Sequence, residues 1–168
     1  NYFKNAHSVD KLFLGVHPRL LTSIPDNHGR TFKDFLNLIG ANTSQIVIEI
    51  PSAINQDWKL LQKVVSNYQS YRYQVAINLA NTNHQWLMES THAFPNIINL
   101  NAQDLQQKII GNHLIDKMRN MGALLHIKKI ETPEQFFMAK EIGAHFLQGN
   151  LLGATVRAIL PVVIQLDQ

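Results

Sequence analysis

The chain has no cysteine, so disulfides and thiolate chemistry are excluded. Charge is scarce: Asp, Glu, Lys and Arg make up 16% of 168 residues, and Asn, Gln and His take much of their place. The formal net charge is only +3 and the densest basic cluster is Lys128-Lys129. A nucleic-acid-binding stripe needs clustered cations, so no nucleic acid polymer is expected as a partner. No run approaches about 18 consecutive apolar residues, the length that reads as a membrane span. Asn1 to Lys11 has no apolar core of the signal-peptide kind. Together with the absence of cysteine this points to the cytoplasm, with a tether to a membrane through an upstream region as the alternative. Because the first residue is Asn rather than Met, a fragment or processed chain is expected. No Gly-rich GxGxxG or Walker loop follows any apolar run, which weakens a nucleotide-binding open sheet.

Hydrophobic residues are plentiful, at 45%, enough for one domain with a sizeable core. They fall into six short runs: Leu12–His17, Gln45–Pro51, Gln74–Leu79, Asn96–Asn101, Ala123–Lys128 and His145–Gly149. Each reads as a strand buried on both faces. Between them lie helical patterns. Trp58, Leu61, Val64, Val65 and Tyr68 recur at helical spacing, and Leu105, Ile109, Leu114, Ile115 and Met118 do so more loosely. Thr132-Pro133-Glu134 opens a third helix, with Thr as N-cap and Pro at its first position. Its expected apolar face is Phe136, Phe137, Ala139, the stem of Lys140 and Ile142. Gly40, Gly122 and Gly143 follow helical patterns, where left-handed C-caps are expected.

Strands alternating with helices imply a parallel sheet, since parallel neighbours need crossover connections. An open doubly wound sheet and a barrel both fit. A full eight-stranded barrel needs about 250 residues, so this chain would supply about six of its eight units. The expected fold is therefore α/β, an incomplete TIM-like (β/α) barrel of about six parallel strands alternating with helices. The barrel portion is expected over 1–153, with a tail, 154–168, packing on it. That tail is apolar and broken by Pro161.

One family pattern fits these runs. Ile130-Glu131-Thr132-Pro133-Glu134-Gln135, then Ile142-Gly143-Ala144, then Gln148-Gly149, resembles the AEGVET, Gln-bearing helix and QGY series that ends an EAL domain, the barrel of cyclic di-GMP phosphodiesterases. Upstream, Ile46 to Ser52 is similar to LEITE, Val75 to Asn83 to ALDDFGTG, and Ile97 to Asn101 to YLKID. Leu14 to Pro18 falls where the family has VNVSP, so the order agrees throughout. The strand carrying the eponymous Glu-Ala-Leu would precede this chain.

By that resemblance, hydrolysis uses two divalent ions held by oxygen ligands and a base for the attacking water. Carried over position by position, Gly15 stands where the family has a metal-ligand Asn, and Glu49 keeps the first Glu of LEITE. Ser52 replaces the second Glu, which holds a loop. Asn78 and Leu79 replace an Asp pair; Leu79 has no ligand atom. Asn99 and Asn101 replace the Lys and Asp of YLKID. Lys128 stands where the general-base Glu belongs, and a cation there repels metal. Glu131 and Gln148 are kept. The implied protein is not an enzyme and carries neither metal nor other cofactor. It would be a regulatory domain acting on a protein partner or on upstream signalling modules, with cyclic di-GMP binding without cleavage as the alternative. An active phosphodiesterase ranks below both.

Several residues admit two readings. Lys128 would pair with Glu49, with Asn78 or Asn99 beside them, or would simply reach solvent. His17 and His126 could join a metal from two strands; hydrogen-bonded barrel histidines are the plainer reading. Gln148 could read a guanine edge or merely shape the last loop. Lys128 could contact a phosphate. Trp86, Leu87 and Met88 would serve either a homodimer contact, by resemblance, or helix-to-barrel packing.

Overall fold

The computed structural model describes residues 11–23, 27–39, 42–52, 57–79, 94–153 and 164–165. Gly40, the segment with Trp86, Leu87 and Met88, and the tail apart from 164–165 lie outside them. The chain forms two compact units, one of residues 1–78 and 85–96, the other of 79–84 and 97–168.

In the first unit, β1 (Leu12–Gly15), β2 (Ile46–Ile50) and β3 (Gln74–Asn78) are parallel. Helices α1 (Pro18–Ser23) and α2 (His28–Ile39) connect β1 to β2, and α3 (Trp58–Ser70) connects β2 to β3. Val47, Ile48, Val75, Ala76 and Ile77 are all buried, as strands covered on both faces require. Asp57 caps α3 by accepting from the Leu60 amide at 3.0 Å. Leu61, Val64, Val65 and Tyr68 form the buried stripe of α3, at the spacing read from the sequence, whereas Trp58 is exposed. Asn96 ties the segment beyond β3 back to it: its Oδ1 accepts from the Val75 amide at 2.9 Å and from Gln69 Nε2 at 3.1 Å.

In the second unit, β4 (Ile97–Asn101), β5 (Leu124–Lys128) and β6 (Phe146–Leu147) are parallel, and β7 (Ile164–Gln165) pairs antiparallel with β6. Its helices are α4 (Ala102–Gln106), α5 (Asn112–Asn120) and α6 (Pro133–Glu141). The segment from Leu105 to Met118 is two helices rather than one. Lys108 adopts φ +56, ending α4 in a left-handed cap, and Ile109 turns out to solvent.

Helix α6 starts as its sequence indicates, with a capping box between Thr132 and Gln135 and Pro133 in the first turn. Its buried face differs from the apolar pattern. Gln135 and Ala139 face the core, while Phe137 is 63% exposed. The reason is polar: Gln135 Oε1 accepts from the Glu131 and Thr132 amides at 2.8 and 3.3 Å, and its Nε2 donates to Gln106 Oε1 at 3.1 Å. Satisfying that buried amide rotates the helix away from Phe137.

Gly122 (φ +79) and Gly143 (φ +63) are left-handed caps, as expected. No helix of the described residues is long and apolar enough to cross a membrane.

Candidate functional site

Strand C-termini carry the positions singled out from the sequence. In the first unit these are Gly15, Glu49, Ser52 and Asn78. Gly15 sits in register with Glu49, and the Val16 amide donates to the Glu49 carbonyl at 3.1 Å. Glu49 is half-buried and its other register neighbour is Ala76. Asn78 Nδ2 reaches the Ile50 carbonyl at 3.5 Å, tying β3 to β2 at this end. Ser52 is exposed. His17 is exposed too, and its Nδ1 accepts from the Arg19 amide at 3.2 Å, capping α1.

The second unit holds Leu79, Asn99, Asn101, Lys128, Glu131 and Gln148. Register sets Asn99 against His126 and Asn101 against Lys128, so alternate residues of β4 and β5 put four polar side chains on one sheet face. His126 is fully buried and its Nδ1 lies 3.0 Å from Asn99 Oδ1. The amide oxygen can only accept, so His126 Nδ1 carries the proton. Burial pushes His126 down to about 3, and the nearby Lys128 ammonium pushes the same way. The ring stands edge-on to Phe146 at 6.0 Å between centroids. Leu79 is buried, and its amide donates to the Asn99 carbonyl at 3.0 Å.

Asn101 ends β4 and begins α4. Its Nδ2 donates to Asp104 Oδ2 at 3.2 Å, and Asp104 is buried in the first turn of α4. A carboxylate at a helix N-terminus is favoured by the helix dipole. Asp104 escaped the sequence reading. Its spacing, three residues after an Asn that closes a strand, is the available signal.

The loop after β5 is braced by backbone. The Ile130 amide donates to the Gln148 carbonyl at 3.1 Å, the Gln148 amide to Ile127 at 2.9 Å, and the Leu151 amide to Ile130 at 3.1 Å. Gly149 lies so close to Ile130 that a Cβ would overlap its backbone nitrogen and carbonyl oxygen. Gln148-Gly149 therefore shapes this loop through its main chain. Lys129, within the loop, adopts φ +58 and is exposed, as is Glu131.

Glu49 and Lys128 belong to different units, as do His17 and His126. Among the described residues, no three His, Asp or Glu side chains form a group that could hold a metal ion.

The sequence model of the EAL domain family matches residues 10–155. Among solved structures, the chain is similar to the Bacillus subtilis YkuI protein, which has an EAL domain and was solved with substrate c-di-GMP and calcium. The identity is 22% and the TM-score 0.73, over 94% of this chain and 40% of that one. It is also similar to the PaMucR phosphodiesterase in complex with c-di-GMP (13% identity, TM-score 0.76, 94% of this chain and 66% of that one). A third is the Klebsiella pneumoniae BlrP1 manganese complex with c-di-GMP (21% identity, TM-score 0.69, 84% and 38%). The chain spans about two fifths of the length of the first such structures, such as the EAL enzyme Bd1971 in its cAMP-bound form, at 41%. Among curated proteins, none matches. These likenesses give the fold: an incomplete TIM-like α/β barrel with six parallel strands.

Proposed function

The chain belongs to the EAL domain family, and we propose that it is a non-hydrolysing regulatory domain of cyclic di-GMP signalling, acting through a protein partner or adjoining signalling modules. The observation that carries this reading is Lys128 at the end of β5, in register with Asn101 and close enough to His126 to lower its basicity. An ammonium there opposes a divalent cation and has no lone pair with which to take a proton from water.

The other positions support it. Gly15 has no side chain to offer, and Leu79 is buried with only an apolar one. Asn99 Oδ1 is occupied by His126, and Asn101 is turned to Asp104. These residues do not fit a cage of oxygen ligands for two metal ions, which needs several carboxylates converging on each cation.

The second reading, a receptor that holds cyclic di-GMP without cleaving it, rests on Lys128 and Gln148, a phosphate partner and an amide in the second unit. Two measurements decide. Incubation of the dinucleotide with the protein and Mg²⁺ or Mn²⁺ is expected to give no turnover above a buffer blank; turnover overturns the proposal. Calorimetric titration with the dinucleotide separates the two readings: heat of binding selects the receptor, and its absence selects the partner-directed domain.

A further inference from the structure

The first unit has a concave feature at the end of its sheet where the strands begin. Thr43 precedes β2 and Arg72 precedes β3, so both lie away from the strand ends that carry Glu49 and Asn78. They border a cleft of about 490 Å³ lined by Lys33, Asn37, Asn42, Thr43, Tyr71 and Arg72, with Ser70 completing it. That volume is in the range of small-molecule sites.

The lining holds two cations and no carboxylate. Among the described residues neither Lys33 nor Arg72 forms an ion pair. Lys33 Nζ stands 5.9 Å from the centroid of the Tyr71 ring. A further cation lies at this end, where Lys11 Nζ donates to the Ser44 carbonyl at 2.9 Å; the nearest acid on α2, Asp34, is outside the lining and acts on Tyr73.

Arg72 is held here at a conformational cost. It occupies φ +67 in the turn after α3, where its amide bonds to Gln69 and that of Tyr73 to Tyr68. The same hydrogen-bond pair closes α5 and α6, and there the left-handed residue is Gly122 or Gly143. A non-glycine residue in that conformation is strained, because its Cβ crowds the following carbonyl oxygen. Lys108 also adopts it, but the groove beside Lys108 holds two carboxylates for two cations, Asp116 paired with Arg119 and Glu141 besides. The lining at Arg72 contains no carboxylate.

The floor is rigid. The Tyr71 ring lies on Gly29, where a Cβ would come within 2.6 Å of the ring. Gly29 is fixed in turn by its amide donating to Asn67 Oδ1 at 3.0 Å and by the Tyr73 hydroxyl donating to its carbonyl at 3.2 Å.

We propose that this cleft binds a phosphomonoester, with the Arg72 guanidinium and Lys33 ammonium on the phosphate and the Asn42 amide as a neutral donor. A monoester is largely dianionic at neutral pH, matching the two cations, and a planar guanidinium bonds phosphate oxygens in a fork. A phosphodiester carries one charge per phosphate and matches less well. The site is therefore separate from the dinucleotide reading above and stands or falls independently of it.

The test is an amide NMR titration of the protein with phenyl phosphate and, in parallel, diphenyl phosphate. Phenyl phosphate should give saturable shifts at Tyr71 and Arg72, with affinity at least tenfold above that for the diester. Arg72→Gly, which suits the left-handed turn and so preserves the fold, should weaken binding at least tenfold, as should Lys33→Ala. Absence of saturable shifts, equal response to both esters, or a loss below tenfold in Arg72→Gly overturns the proposal.

Discussion

His126 donates from Nδ1 to Asn99 Oδ1 across 3.0 Å between neighbouring parallel strands, at a position sealed from solvent. Burial and the Lys128 charge keep the ring neutral, lowering it to about 3 from its ordinary 6.5. Folded protein therefore binds fewer protons than unfolded chain between those two values. Stability contributed by the neutral ring is complete above about pH 6.5, falls by about 1.4 kcal/mol per pH unit below it, and levels off near pH 3. Burial and Arg119 lower His145 as well, so the total slope contains more than one histidine. His126→Gln keeps an amide donor for Asn99 and removes the titration. Chemical denaturation at pH 6 and pH 4 should show a stability loss smaller in the variant by about 2.5 kcal/mol, one proton's slope over two pH units. An unchanged slope refutes the assignment.

The loop after β5 predicts a sharp contrast between two glycines. Gly149 has no room for a Cβ because Ile130 backbone fills the space, whereas nothing lies within 4 Å of a Cβ on Gly15. Gly149→Ala should cost about 1–3 kcal/mol, since overpacking here can be relieved only by moving main chain. Gly15→Ala should stay within about 0.5 kcal/mol. Urea midpoints of the two variants check this, and equal midpoints would contradict it.

Lys129 offers the opposite sign. Its exposed side chain sits on a left-handed residue, at the position that AEGVET fills with Gly. Lys129→Gly removes the Cβ clash but adds backbone freedom to the unfolded chain. The first effect exceeds the second, so a gain of about 0.5 kcal/mol is expected in thermal or urea unfolding. A loss of stability would mean that the Lys129 side chain makes a contact that matters.

The inner strands were legible because both their faces are buried, which leaves runs such as Ile46–Ile50 almost purely apolar, whereas β1, expected to be covered on both faces, is only half-buried with Gly15 exposed. Caps at Gly122 and Gly143 were legible for the same reason that glycine is used there. Arg72, Lys108 and Lys129 adopt the same handedness with side chains that give no such signal, so the break between α4 and α5 was hidden under continuing apolar periodicity. The Phe137 error has a similar origin. Apolar spacing cannot report that a single amide, Gln135, has three backbone and side-chain partners to satisfy. Pairings such as Asn99 with His126 depend on register between distant segments. The sequence places each on a strand but not opposite the other.

The chemical reading yields the last prediction. If Lys128 alone disabled hydrolysis, Lys128→Glu would restore a base and bring back Mn²⁺-dependent turnover of cyclic di-GMP. Leu79 and Gly15 remain, however, and neither can offer an oxygen to a cation from its side chain. Losses of groups that act as a unit are not additive, so repairing one of three leaves the activity near that of the fully disabled protein. Lys128→Glu should therefore show no turnover above the blank. It should also relieve His126 of a neighbouring positive charge, so its pKa should rise, with imidazole NMR as the readout. A variant whose histidine shifts while turnover stays at the blank satisfies both halves. Turnover in Lys128→Glu alone would show that Lys128 is the single disabling residue and that Gly15 and Leu79 do not prevent metal binding.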